Sequence, residues 1–254
     1  MFLVDMHVHS TYSDGVLSIA ELVDFYGRRG FGAIAITDHL CEQYTVLGRA
    51  AKVLGRTLTT STYDQYLAEI EAQAQRALRR YDMVVIPGVE LTKNTFSNKR
   101  SAHILALGLR EKISADCEPL VLARKVRSLG ALAVAAHPVP TRVSEAQTLY
   151  LWDQRERFRN EFDAWEVASG RHFFSEVAES GLPMLANSDL HVPSQIESWK
   201  TVLDCSRTEP EVLRAIRHQD LAFEYYREPS GVDLRPTTAL HAGFKFADFA
   251  SGFG

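Results

Sequence analysis

The sequence predicts an α/β fold whose parallel strands curl into a barrel. Three observations carry that prediction. Seven short apolar or β-branched runs alternate with longer stretches of helical period. The 254 residues match the roughly 250 that a single α/β barrel needs. Side chains that bind metals stand at an end of almost every run, and in a parallel barrel the C-terminal strand ends converge on one rim. A doubly wound open sheet is the alternative.

The runs are Phe2 to Met6, Ala33 to Thr37, Met83 to Pro87, His103 to Leu107, Ala131 to Ala135, Ala164 to Val167 and Met184 to Ala186. Each is too short for a helix and reads as a buried strand. Ser18 to Arg29 reads as a helix, with Ser18 as N-cap, Glu21 three residues on and Gly30 at its end. Tyr63 to Tyr81 alternates charge with Leu, Ile and Ala at helical spacing. Pro119 to Leu129 stops at Gly130, and Glu209 to His218 follows a capping Thr208. Strands alternating with helices imply parallel strands and right-handed crossovers. Leu40 to Thr62 and Pro138 to Trp152 are expected to be irregular, and 229–254 a C-terminal tail behind a domain spanning 1–228.

The composition is that of a soluble globular chain, 46% hydrophobic and 24% charged. A net charge of -4 gives no general attraction to nucleic acid. Cys41, Cys117 and Cys205 form no Cys-x-x-Cys pair, so neither a zinc ribbon nor a redox motif is expected. Their odd number points to reduced thiols and a cytoplasmic home. The opening residues lack the basic and apolar regions of a signal peptide, and no apolar run approaches a membrane span. No protein partner is implied.

Six of the nine histidines sit in short strand-end motifs. Asp5-Met6-His7-Val8-His9-Ser10 runs on to Ser13-Asp14-Gly15. Alternate residues of a strand share a face, so His7 and His9 form a two-imidazole platform for a borderline metal. Thr37-Asp38-His39, Pro87-Gly88-Val89-Glu90, His103, Ala136-His137-Pro138 and Ser188-Asp189-Leu190-His191 follow. Any one of these is more often a hydrogen-bonded rim or core residue than a ligand. Gathered on one rim, six imidazoles and three carboxylates need cations, because the carboxylates repel and the polar groups want partners. His103 opens its run instead of closing it, which fits an antiparallel strand. The set exceeds what one ion takes and suits two or three divalent ions, of zinc, manganese or iron, with a bridging carboxylate. Such a centre clamps both oxygens of a phosphoryl displacement, with a metal-bridging hydroxide as nucleophile.

In these motifs the chain resembles the polymerase and histidinol phosphatase (PHP) family of metal-dependent phosphoesterases, from about Met1 to Arg227 and with the motifs in order. The resemblance implies a distorted seven-stranded barrel, similar to a TIM barrel, and a trinuclear site. It implies that His7, His9 and Asp189 share one ion with Glu90, which bridges to a second ion on His103 and His137. Asp14, His39 and His191 would hold the third. Glu90, Asp189 and His191 are the ligands expected to bear on catalysis. The compact size is similar to the small stand-alone branch, which implies a nucleotide 3′-phosphate phosphatase or a 5′-to-3′ exonuclease. The expected substrate is a phosphorylated small molecule, nucleotide or short oligonucleotide. A histidinol-phosphatase-like metabolite phosphatase is the alternative. Behind it stand a metal-dependent hydrolase of non-phosphate substrates and a non-catalytic metal-binding module.

A phosphate needs cationic partners. Arg142, five residues after His137, and Lys93, three after Glu90, are the candidates. Asp38 and Glu166 are candidates for orienting metal ligands; an N-cap and a rim salt bridge are their plainer roles.

Overall fold

The computed structural model describes residues 1–96, 100–139 and 148–229. All seven expected strands form: β1 (Phe2–Val8), β2 (Ala33–Ile36), β4 (Val84–Lys93), β5 (Ala102–Leu107), β6 (Leu132–Ala135), β7 (Ala164–Ser169) and β9 (Met184–Asn187). Four more join them: β3 (His39–Cys41), β8 (His172–Phe173), β10 (Trp199–Leu203) and β11 (Leu221–Tyr225). The order is β11-β10-β1-β2-β4-β5-β6-β7-β8, with β3 beside β4 and β9 beside β7. The sheet curls until Val8 and Leu190 make a parallel bridge between the end of β1 and the chain following β9.

The parallel course expected of strands that alternate with helices holds only in part. β5 runs antiparallel to both β4 and β6, the setting that His103 requires. β10 is antiparallel to β1 and β11, and β8 to β7. Fold class is therefore mixed α/β with a curled sheet.

The expected helices form as α1 (Ile19–Gly27), α3 (Tyr63–Tyr81), α4 (Pro119–Ser128) and α8 (Glu209–His218). Ser18 and Glu21 close a reciprocal capping box on α1, and Gly130 takes a φ of +83° after α4. Leu40 to Thr62 is not irregular throughout: it completes β3 and contains α2 (Val46–Val53), capped by Thr45 accepting from the Gly48 amide. Short helices α5 (Leu149–Asp153), α6 (Arg155–Phe158) and α7 (Ser175–Ala178) complete the chain. No helix among the described residues is long and apolar enough to cross a membrane.

The two faces of the sheet are separately apolar. One packs Ile34, Ile36, Val85, Ile104, Ala133 and Val167 against helix residues such as Leu22, Tyr66, Leu122 and Val177. The inner face packs Val4, Met6, Ala35, Ile86, Leu105 and Val134 against Val212, Ala215 and Ile216 of α8, which closes one end. Truncating a buried leucine such as Leu105 to alanine costs about 2–5 kcal/mol. This inner core leaves only the opposite end free for polar residues.

Candidate metal centre

The inner face changes from apolar to polar along each strand. In β1, Val4 and Met6 belong to the inner core and Val8 to the outer one. A register shift between Asp5 and Val8 changes the alternation, so His7 and His9 continue on the inner side after Met6. Glu90 lies between the outer-core Val89 and Leu91, and His103 between Ala102 and Ile104, which turns both inward. Glu90 is thus inside a ten-residue strand and not at its end, because β4 continues past Gly88 to pair with β3 and β5. A Cβ on Gly88 would come within 2.9 Å of the Ala106 carbonyl, so glycine permits this close pairing.

The turn after His9 places Asp14. A Cβ on Gly15 would sit 2.2 Å from the His9 carbonyl oxygen, so only glycine lets the loop fold back this far. Asp38 braces the loop. Its carboxylate accepts from the Ser10 amide at 2.9 Å, the Ser10 hydroxyl at 2.7 Å and the Ser13 hydroxyl at 2.6 Å. It caps no helix and supports the chain that carries His9 and Asp14. His137 and Asp189 hold their positions at φ of 26° and 53°, a region costly for any residue with a side chain and concentrated at functional sites.

All nine candidate ligands converge. His7 Nε2 and His9 Nε2 each lie 3.2 Å from Asp189 Oδ1 and 3.6 Å from a Glu90 oxygen. Glu90 Oε1, the oxygen that faces His7, also lies 2.8 Å from His103 Nδ1 and 3.2 Å from His137 Nε2, while Oε2 faces His9 and lies 2.7 Å from His39 Nδ1. Asp14 Oδ1 lies 3.3 Å from His191 Nε2 and 3.6 Å from His39 Nε2. Four sets of ligand atoms fall within 4.8 Å of one another: His9, Asp14, His39 and His191; His7, His137 and Asp189; His7, His9 and Glu90; Glu90, His103 and His137.

Electrostatics make the same point. Burial alone would raise Glu90, but His103, His39 and His7 hold it well below the usual carboxylate range. Asp189 is likewise held low by His7, His9 and His191 against its own burial. Burial would lower the His7 imidazole, yet the Asp189, Glu166 and Glu90 carboxylates hold it well above its ordinary value. Burial, with His39 and His191 beside it, pushes His9 down to about 3. The carboxylates stay ionised and lean on whatever positive charge is near. His7 Nε2, His9 Nε2, Asp14 Oδ1 and Glu90 Oε2 are buried without a hydrogen-bond partner. These orphaned atoms point into the cluster, and divalent cations would satisfy all four.

Lys93 donates from its ammonium to Glu42 and, at 3.4 Å, to the Ala115 carbonyl, so its charge is already paired. Arg142 lies outside the described residues. Trp165 is fully buried against Phe162 and Trp152 and serves packing. Lys200 is a site neighbour that periodicity gave no signal for: it is fully buried, 3.2 Å from Asp5 Oδ2.

A mixed α/β scaffold with a buried His, Asp and Glu cluster of this kind defines a protein with a candidate metal-binding centre. The PHP domain profile matches residues 5–160, more than half of the chain, and the chain belongs to the PHP domain family. It is 33% identical over 88 residues to the DNA polymerase/3'-5' exonuclease PolX of Bacillus subtilis (strain 168), spanning 33% of this chain and 14% of that protein. It is 28% identical over 128 residues to a phosphoribosyl 1,2-cyclic phosphate 1,2-diphosphodiesterase of Eggerthella lenta, spanning 49% of this chain and 39% of that protein. The chain therefore matches well under half the length of either relative. Among solved structures, it resembles a two-domain protein from Bacteroides vulgatus containing a predicted PHP-like metal-dependent phosphoesterase. That likeness has a TM-score of 0.61 at 21% identity, over 89% of this chain and 65% of the other. PsfC from Pseudomonas syringae gives 0.54 at 16% identity, over 89% and 91%. Likenesses at these identities speak for the fold.

Proposed function

We propose that the chain is a metal-dependent phosphoesterase that hydrolyses a phosphate monoester or a terminal phosphodiester of a nucleotide or short oligonucleotide. The observation that carries this reading is Glu90. One fully buried carboxylate faces His7, His103 and His137 through Oε1 and His9 and His39 through Oε2. A carboxylate so shared is suited to bridging two cations. Nitrogen and oxygen donors without thiolate suit zinc, manganese or iron. Two or three such ions would polarise a phosphoryl oxygen and activate water at neutral pH.

The protein's own residues divide the remaining work. His7, His9, His103, His137 and Asp189 are buried and set the spacing around Glu90. Asp14 and His191, with side chains each 25% exposed, are the open side, where a phosphate ester would enter. Asp189 touches both the inner pair and, through its carboxylate, lies 3.7 Å from His191 Nδ1, which suits it to a catalytic role beside Glu90 and His191. We assign the substrate phosphate to Arg142 on the strength of its place after His137. Both curated relatives are named for breaking phosphoester bonds, which supports the bond type and leaves the substrate to experiment. On this reading β1, β2, β4, β5, β6, β7 and β9 form a distorted seven-stranded barrel closed at the Val8–Leu190 bridge. Residues 1–228 would be one domain, and the free cysteines suit a cytoplasmic enzyme.

The test is a panel of p-nitrophenyl phosphate, its bis-ester, nucleoside 3′,5′-bisphosphates, histidinol phosphate and 5′-phosphorylated oligonucleotides, with manganese, zinc or iron, beside p-nitroanilide amides. Metal-dependent release of phosphate or p-nitrophenol is expected. Cleavage of the amides alone would move the protein to another class of hydrolase.

A further inference from the structure

We propose that Glu166 is a positioning residue whose single carboxylate fixes the coordinating nitrogen of His7 and the main chain of His137, so that two candidate ligands facing Glu90 Oε1 are set together. This rests on the metal-binding reading above.

Glu166 is fully buried on β7, and no Lys or Arg pairs with it among the described residues. Three groups face it. His7 Nδ1 lies 2.9 Å from Oε1. The Asn187 side-chain amide donates to the same oxygen at 2.8 Å, and the His137 amide donates to Oε2 at 2.6 Å. Both oxygens of Glu166 already accept, Oε1 from Asn187 and Oε2 from His137, so toward His7 the group accepts again, and a neutral, cation-binding His7 ring carries its proton on Nδ1. That leaves the Nε2 lone pair free, and Nε2 is the atom that faces Asp189 at 3.2 Å and Glu90 at 3.6 Å. The hydrogen bond on one ring nitrogen thus decides that the other coordinates.

The second oxygen acts on the other candidate ligand. His137 sits at φ 26°, an unfavourable backbone that persists only where its surroundings hold it. Its amide is tied to Oε2, and Thr148 braces it from the other side by donating to the His137 carbonyl at 2.8 Å. In this conformation His137 Nε2 reaches Glu90 Oε1 at 3.2 Å. Asn187 extends the connection: its carbonyl oxygen accepts from the Met6 amide at 2.9 Å, next to His7. One carboxylate on β7 therefore references β1, the chain after β6 and β9 to each other.

Three donors converging on one group make Glu166→Gln the informative change. Glutamine has nearly the same shape, but its NH2 must face at least one donor. If it turns toward His7, the ring is driven to the other tautomer and Nε2 acquires the proton. If it turns toward His137, the strained amide loses its acceptor. Either way one of the two candidate ligands facing Glu90 Oε1 is lost.

The experiment uses the full chain reconstituted with zinc. Elemental analysis and competitive zinc titration would be run on the parent and on Glu166→Gln, with circular dichroism confirming the fold. Ring-nitrogen NMR would report the His7 tautomer, its signal identified by its loss in His7→Asn. In the parent, a proton on His7 Nδ1 and zinc on Nε2 are expected. In Glu166→Gln, zinc affinity should fall by about 10–100-fold with a folded spectrum. A parent His7 protonated on Nε2 would overturn the proposal even if the variant failed to fold. So would a folded Glu166→Gln with zinc affinity and stoichiometry within twofold of the parent. A parent that binds no zinc, manganese or iron would instead sink the metal-dependent reading itself.

Discussion

The ammonium of Lys200 lies 3.2 Å from Asp5 Oδ2, and both side chains are wholly buried. The same carboxylate accepts from the Tyr26 hydroxyl at 2.8 Å and from the Ser188 hydroxyl at 2.5 Å, while its other oxygen takes the Ser188 amide at 3.0 Å. Ser188 precedes Asp189, whose positive φ places its carboxylate among the ligands. The ion pair thus ties β10 and β1 to the turn that presents Asp189. Removing one partner strands a buried charge, whereas removing both does not. Lys200→Met is expected to destabilise the protein by about 3–5 kcal/mol, and Asp5→Asn with Lys200→Met to recover much of that loss. Urea unfolding of the two single variants and the double variant checks it; losses that simply add would show that the charges do not act as a pair.

Removing bound metal is expected to lower activity and thermal stability together. The four orphaned atoms in the cluster, among them His7 Nε2 and Glu90 Oε2, are buried with no hydrogen-bond partner. At a free concentration a thousand times Kd, one ion contributes about 4.1 kcal/mol to folding, on the order of 10 °C in Tm for a chain of this size. Scanning calorimetry before and after chelation, then after adding back manganese or zinc, measures it. An unchanged Tm alongside full activity after rigorous chelation would exclude a structural and catalytic metal.

Much of this cluster could be read from the chain because its candidate ligands stand in short motifs at the edges of apolar runs. Strand alternation correctly put His7 and His9 on one face, although the register shift after Asp5 leaves no mark in the sequence. The antiparallel course of β5 was foreshadowed only by the odd position of His103. α2 lay inside a stretch read as irregular because it is only eight residues long and, with Gly48 its one buried residue, puts little apolar surface against the core. β10 was missed because Lys200 interrupts an otherwise apolar strand, and its burial depends on Asp5, 195 positions earlier. Glu166 could be suspected at a strand end, but its partners lie 159, 29 and 21 residues away. Pairings at such distances are settled by packing and have no local signature.

Glu90→Gln is expected to harm catalysis more than folding. Its carboxylate faces histidines through both oxygens and is fully buried, and a neutral amide would bridge poorly and turn hydrogens toward one set of them. Turnover per bound ion should fall by at least about 10²-fold, the scale of losing one preorganised electrostatic partner. Elemental analysis and steady-state kinetics belong on the same preparation. Parental metal content with near-parental turnover would show that Glu90 does not bridge.

Arg142 and Lys93 should separate when each is changed to alanine. The Lys93 ammonium is committed to Glu42 and the Ala115 carbonyl, so its loss strands a mostly buried carboxylate and should be felt in stability. The sequence places Arg142 after Pro138-Val139-Pro140, and prolines stiffen a chain. A guanidinium carried there can meet a phosphate with a fork of donors that Lys does not reproduce. At matched metal occupancy, Arg142→Ala is expected to lower kcat/KM for phosphate esters by roughly 10²-fold and to leave the metal content alone. Lys93→Ala should stay within about twofold, roughly 0.4 kcal/mol of transition-state stabilisation, while its unfolding midpoint drops. Full substrate titrations with urea unfolding of both variants decide the matter. If Arg142→Ala keeps its kcat/KM within about twofold and Lys93→Ala loses it, the phosphate partner is Lys93, and the Glu42 pair must open when substrate binds.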